Sequence, residues 1–147
     1  MTYKFYDLGK EKTLQFCLAD ATTSGTTPVG TYYDFSNLSG SASSHVSISG
    51  NVLTLSAGRY FVEGHPYRNN KGSTLDFHFQ WEKEVDSVYS LTGDEGTLNP
   101  GAEGFRKSAA YFKVDLTQNT NFKLKITLNT HTTADTVHGY IQIWRES

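Results

Sequence analysis

The sequence has one cysteine and three prolines, and each scarcity excludes something. A lone thiol, Cys17, rules out an intrachain disulfide and every cysteine-rich zinc site. A membrane helix needs about 20 consecutive apolar residues, and no stretch approaches that length. Membrane insertion is therefore not expected. The chain opens Met1-Thr2-Tyr3-Lys4-Phe5 and then meets charges, so no secretory leader is expected and synthesis in a cytosol is. The formal net charge of −2 is spread over scattered groups of both signs. Without a basic stripe to neutralise phosphates, nucleic acid is not an expected partner. Helical periodicity is absent as well. No segment places apolar residues at three- and four-residue spacing for long.

What remains is the chemistry of strands. Nine Tyr and nine Phe raise the aromatic share to 14%, and Ser and Thr are abundant. The length, 147 residues, suits one domain that closes its own core, since domains commonly run about 100–150 residues. The expected unit is therefore 1–147, with 1–12 as an N-terminal arm or docking segment. The stretch 52–66, VLTLSAGRYFVEGHP, sets the pattern. Leu53 and Leu55 alternate with polar residues, Ala57-Gly58 interrupts, and Tyr60 and Val62 resume the alternation. Period two puts successive side chains on opposite faces, so this is two strands around a tight turn.

The same grammar recurs. Leu75, Phe77, Phe79 and Trp81 share one face against Asp76, His78, Gln80 and Glu82. Ala110, Phe112, Val114 and Leu116 form one run. Phe122, Leu124, Ile126 and Leu128 follow after a short polar turn, which makes a hairpin. Gly139, Ile141 and Ile143 oppose His138, Tyr140, Gln142 and Trp144 in the last strand. Leu14, Phe16 and Leu18 mark an early one, and Tyr32 to Phe35 a short aromatic one near an edge. Residues 20–30, 37–44, 92–107 and 129–136 read as loops, and 69–72 as a turn. The fold class is all-β, a two-sheet antiparallel sandwich or jelly roll of about eight to ten strands with little or no helix.

Motifs for chemistry are wanting. There is no G-x-S-x-G elbow and no phosphate-cradling G-x-x-x-x-G-K-[ST] loop, so no catalytic residue and no cofactor is expected. Cys17 sits in an apolar strand without a visible base to activate it. His78 is the most metal-like of the five histidines and would need copies around a threefold axis to complete a site. Asp94-Glu95 lacks the multi-oxygen spacing of a calcium loop and reads as a solvated turn. The Gly-rich segment 92–107 is the expected partner-contacting loop, through Gly93, Asp94, Glu95, Asn99, Glu103 and Arg106. Tyr32, Tyr33, Tyr67, Tyr111, Tyr140 and Trp144 admit two uses, a sugar-stacking platform or a core and subunit interface.

Three stretches carry a family likeness. LTLSAGRYFVEG resembles the signature of the tumour necrosis factor and complement globular-head jelly rolls, in which a strand closes on a Gly and the next opens with an aromatic. AAYFKVDLTQNTNFKLKI is similar to the paired strands of that family, and HGYIQIWRES to its closing strand. The 147 residues hold no collagen-like Gly-X-Y stretch. Gln118-Asn119 stands where the family usually has Gly-Asp, and this Thr/Asn-rich turn is similar to versions in bacteriophage surface proteins. The resemblance implies a non-enzymatic homotrimer on a virion surface, as capsid decoration, fibre component or tail receptor-binding head. Its partners would be itself, other virion proteins and a host surface glycan. It also implies that the strands holding Tyr60 and Phe61, Tyr111, and Tyr140 and Trp144 share the sheet nearest the threefold axis, which makes those five the expected trimer interface. The alternative is a carbohydrate-binding β-sandwich module.

Overall fold

The computed structural model describes residues 3–7, 10–23, 29–67, 77–101, 104–129 and 137–146, with side chains over 13–23, 29–65, 78–97, 108–128 and 138–146. Among the described residues it is all-β apart from one short 3-10 turn, Ser43–His45. The strands are β1 (Tyr3–Asp7), β2 (Lys10–Thr23), β3 (Asp34–Gly40), β4 (Val46–Ser49), β5 (Val52–Leu55) and β6 (Gly58–Tyr67). They continue as β7 (Phe77–Val85), β8 (Val88–Gly101), β9 (Gly104–Ser108), β10 (Ala110–Leu116), β11 (Thr120–Asn129) and β12 (Val137–Glu146). The expected turn at 69–72 and most of the loop at 129–136 lie outside the described residues.

All pairings are antiparallel. One sheet runs β1-β2-β12-β6-β10, with β3 also on β2. The other runs β4-β5-β11-β7-β8, with β9 on β8. The described ladder joins them only at Tyr111↔Asp94, between β10 and β8. The sandwich is therefore nearly closed along one seam.

The inward sets are those that alternation singles out. Tyr60, Val62, Phe112, Ile141 and Ile143 come from the first sheet, and Leu53, Leu55, Phe79, Trp81, Phe122, Leu124 and Ile126 from the second; all are buried. The rings of Phe112 and Phe122 stack across the sandwich with centroids 4.5 Å apart, and Trp81 meets Phe112 edge-on at 5.5 Å. Burying one such side chain contributes about 1.5–3 kcal/mol, so this cluster holds the two sheets together. The Trp81 indole N–H donates to the Ala110 carbonyl oxygen at 3.1 Å, so its polar handle is satisfied in the dry interior.

Four expectations need correction. Residues 20–23, expected in a loop, continue β2 and pair with β12. Residues 92–107 are not a loop: 92–101 continue β8 and 104–107 form β9, which pairs back on it. Gly93 and Gly96 do not mark turns. A side chain at Gly93 would collide with the Tyr111 carbonyl, and one at Gly96 with the Phe79 ring, so both serve close approach within a strand. Residues 37–40 belong to β3 rather than to a loop, with Asn37 in the left-handed region at φ 55°. Lastly, β2 turns its small residues, Cys17, Ala19 and Ala21, inward and leaves Leu14, Phe16 and Leu18 on the outer side.

Candidate functional site

The outward face of the first sheet is a ladder of aromatic and charged side chains. Register sets its rows. Trp144 on β12 stands opposite both Phe16 on β2 and Phe61 on β6, and Phe61 stands opposite Lys113 on β10. Ring centroids lie 5.3 Å apart for Phe16–Trp144 and 5.6 Å for Phe61–Trp144. Tyr111, one row along, meets Phe61 at 5.8 Å. The Lys113 ammonium caps the Phe61 ring at 5.6 Å, a cation–π contact. Four strands thus place four rings in one connected group, in which Tyr111 is exposed and Phe16, Phe61 and Trp144 are partly buried.

Charge surrounds it. In the adjoining row Arg59 reaches Asp115 at 3.3 Å and Glu146 at 3.2 Å. At the other end Tyr140 stacks on His65 with centroids 4.9 Å apart and planes 15° apart, and His65 Nε2 lies 2.7 Å from Glu63 Oε2. An apolar centre inside a polar margin is the anatomy of a protein interface. Tyr111 sits at the seam between the sheets, where a hydrogen bond to Asp94, then that carboxylate's charge, pushes its phenol up from the ordinary value.

Of the five residues expected at an interface, Phe61, Tyr111, Tyr140 and Trp144 lie on this face, and Tyr60 does not. Tyr60 alternates with Phe61 and points inward at 2% exposure. Its hydroxyl lies 3.0 Å from Ser56 Oγ and accepts from Arg145 Nε at 3.2 Å, which ties β6 to the turn before it. Phe16, Lys113 and His65 belong to the face although the sequence did not point to them. The signal was present in Leu14, Phe16 and Leu18, whose bulk outweighs that of the small residues alternating with them.

The remaining candidates separate. Gly93, Asp94 and Glu95 are exposed on β8. The side chains of Asn99 and Arg106, all of Glu103, and the side chains of Phe77 and Tyr67 lie outside the described residues. His78 is on the outward side of the second sheet, where Nδ1 lies 2.7 Å from Glu95 Oε1, whose other oxygen accepts from Thr127 at 2.9 Å. Among the described residues no group of three His, Cys, Asp or Glu side chains is placed to hold a metal ion. On the same outward side Glu82 is 4% exposed, yet it accepts from the Tyr32 hydroxyl at 2.7 Å and from Lys125 at 3.0 Å. Burial, then that hydrogen bond, pushes the Tyr32 phenol up to about 12. The Lys123 ammonium sits between the Tyr32 and Tyr89 rings, at 4.8 and 4.3 Å. This cluster satisfies itself and holds the 29–33 segment down on the sheet.

No family model matches the chain, and no curated protein does. Solved structures do. The chain is similar to murine APRIL at pH 8.0, with a TM-score of 0.57 at 9% identity, covering 88% of this chain and 98% of that one. It is similar to the globular domain of zebrafish complement 1qA, with a TM-score of 0.54 at 6% identity over 86% and 94%. The Eiger TNF of S. frugiperda matches with a TM-score of 0.50 at 6% identity over 89% and 92%. At such identities the likeness is one of fold: these are jelly rolls of the tumour necrosis factor and complement globular-head kind.

Proposed function

We propose that this chain is a non-catalytic jelly roll that closes three copies around the outward face of its first sheet and works on a virion surface. There it serves as a capsid decoration or fibre component, or as a receptor-binding head. The observation that carries the trimer is the connected group Phe16–Trp144–Phe61–Tyr111 inside a charged margin. A soluble monomer rarely leaves such a patch uncovered, and a closed ring of subunits buries it on every copy. The neighbours in fold support the same geometry, since the family that the sequence resembles is usually trimeric through the equivalent sheet. The virion assignment draws on the turn at 117–120, similar to bacteriophage versions. Partners on this reading are the chain itself, other virion proteins and a host surface glycan.

A carbohydrate-binding module is the second reading, favoured by the same group of rings, which are tilted 32–55° to one another and present aromatic faces on which sugars stack. Oligomeric state separates the two. Light scattering after gel filtration should give about three times the chain mass at both low and high salt, because an apolar interface is insensitive to screening. A clean monomer at micromolar concentration refutes the trimer and moves the sugar module to first place. Mass spectrometry of purified particles tests the virion role, and absence of the chain from them refutes it.

A further inference from the structure

At one end of the sandwich, turns far apart in the sequence come together. In the β7–β8 turn both Asp86 and Ser87 adopt left-handed backbone angles, φ 50° and 65°, which is the type I′ geometry of a two-residue hairpin. Beside it runs the β10–β11 turn, and the two flank a cleft of about 450 Å3. A smaller cleft of about 150 Å3, lined by His45, Ser47, Thr54 and Ser56, adjoins it at Asn119, which lines both. No Tyr, Phe or Trp lines either.

We propose that this end cleft binds a neutral saccharide. Side-chain amides and carboxylates offer planar pairs of donors and acceptors that match neighbouring sugar hydroxyls. Part of the lining is fixed in advance: Asn121 Nδ2 donates to Glu84 Oε2 at 2.7 Å, and Asn121 Oδ1 accepts from Thr54 Oγ1 at 2.6 Å. Asp86, Gln118 and Asn119 stand exposed at the rim. The main cleft falls in the range of about 300–1,000 Å3 typical of small-molecule sites, and the continuation past Asn119 gives a second sugar residue a place.

Other ligand classes fit less well. Phosphates and acidic sugars would meet Glu84, Asp86 and Asp115 against Lys83 alone. A divalent cation would need free converging carboxylates, but Arg59 holds Asp115 and Asn121 holds Glu84. An apolar peptide side chain would find little beyond Val85 and Leu116. The inference deepens the receptor-binding form of the reading above and rests on it for its biological meaning.

Isotope-labelled full chain should be titrated by NMR with methyl glycosides of glucose, galactose, mannose and N-acetylglucosamine, and with lactose and maltose. Sialyllactose, inorganic phosphate and calcium chloride are the comparison ligands, and light scattering on the same sample reads the oligomer independently. At least one neutral sugar should shift the amides of residues 83–87 and 117–121, and a disaccharide those of 44–47 as well. Replacing both exposed groups, Asp86→Ala with Asn119→Ala, should weaken that binding about tenfold or more with the oligomer unchanged. Should that variant fail to fold, the wild-type shift map decides alone. The proposal is overturned by no shift in these segments at the solubility limit of every neutral sugar, by shifts confined to the aromatic face, or by tighter binding of any comparison ligand.

Discussion

Phe61→Glu puts a carboxylate at the centre of the aromatic group without touching the sandwich interior. In a single subunit the change removes ring contacts to Trp144 and Tyr111, worth about 0.5–1.5 kcal/mol each. The neighbouring Lys113 ammonium offsets part of that loss. In a trimer a further cost is added. Phe61 is already partly buried in one subunit, so each copy forfeits about 1 kcal/mol of additional apolar burial, and symmetry repeats the loss three times, for about 3 kcal/mol. At about 1.4 kcal/mol per tenfold, the association constant falls by roughly two orders of magnitude before the larger penalty of burying three charges is added. Sedimentation velocity over a concentration series should show wild type at three times, and the variant at one times, the chain mass of 16.4 kDa. Thermal unfolding should show the variant still folded. A variant that stays trimeric over the same concentrations as wild type would refute the placement of this face at the axis.

Three further outcomes test the interior and its titration. Phe79→Ala should lower stability by about 3–5 kcal/mol, read from urea midpoints, because the ring is fully buried and its loss leaves a cavity; coincident midpoints would contradict the packing. Cys17, whose thiol burial pushes up to about 12, should resist thiol reagents at about pH 8 until denaturant is added; rapid labelling of the folded chain would place it elsewhere. The Tyr32 phenol is raised from its ordinary 10.0 to about 12, so the unfolded chain gives up that proton first. The stability tied to it is whole below its ordinary value and is lost as pH rises through about 12. Denaturation midpoints should therefore fall over that alkaline window, and Glu82→Gln should bring the ultraviolet ionisation of Tyr32 to lower pH. An unchanged ionisation would remove Glu82 as a cause.

Alternation made most of the core legible. Wherever one phase of a strand is apolar and the other polar, as in Leu53 and Leu55 or Ile141 and Ile143, only one register buries oily surface. Legibility fails where that contrast fails. In β2 both phases are apolar, and volume decides: the interior takes Cys17, Ala19 and Ala21, and the larger side chains are left for the outer face. Glycine misleads for a different reason. Gly93 and Gly96 look like turn residues, yet their use is to let β8 approach Tyr111 and Phe79, a constraint that exists only once the sheets are stacked. The interface candidates on β6, β10 and β12 came from the resemblance rather than from alternation, and Tyr60 turns inward because both faces of β6 carry a ring there and only one can point out. The end cleft was not readable at all. Its walls come from turns separated by tens of positions, and none carries a pattern by itself.

The chain's two tryptophans stand on opposite sides of the sandwich wall. Trp81 is sealed inside with its N–H given to a backbone carbonyl, and Trp144 is partly buried on the outer face, in the aromatic row. The protein therefore contains two optical reporters of different events. Trp81 emission should be blue and hard to quench, and should move only when the sandwich unfolds. Trp144 emission should answer to whatever covers the outer face. Replacing either with Phe isolates the other, so folding and assembly can be followed separately, in one tube and without a label.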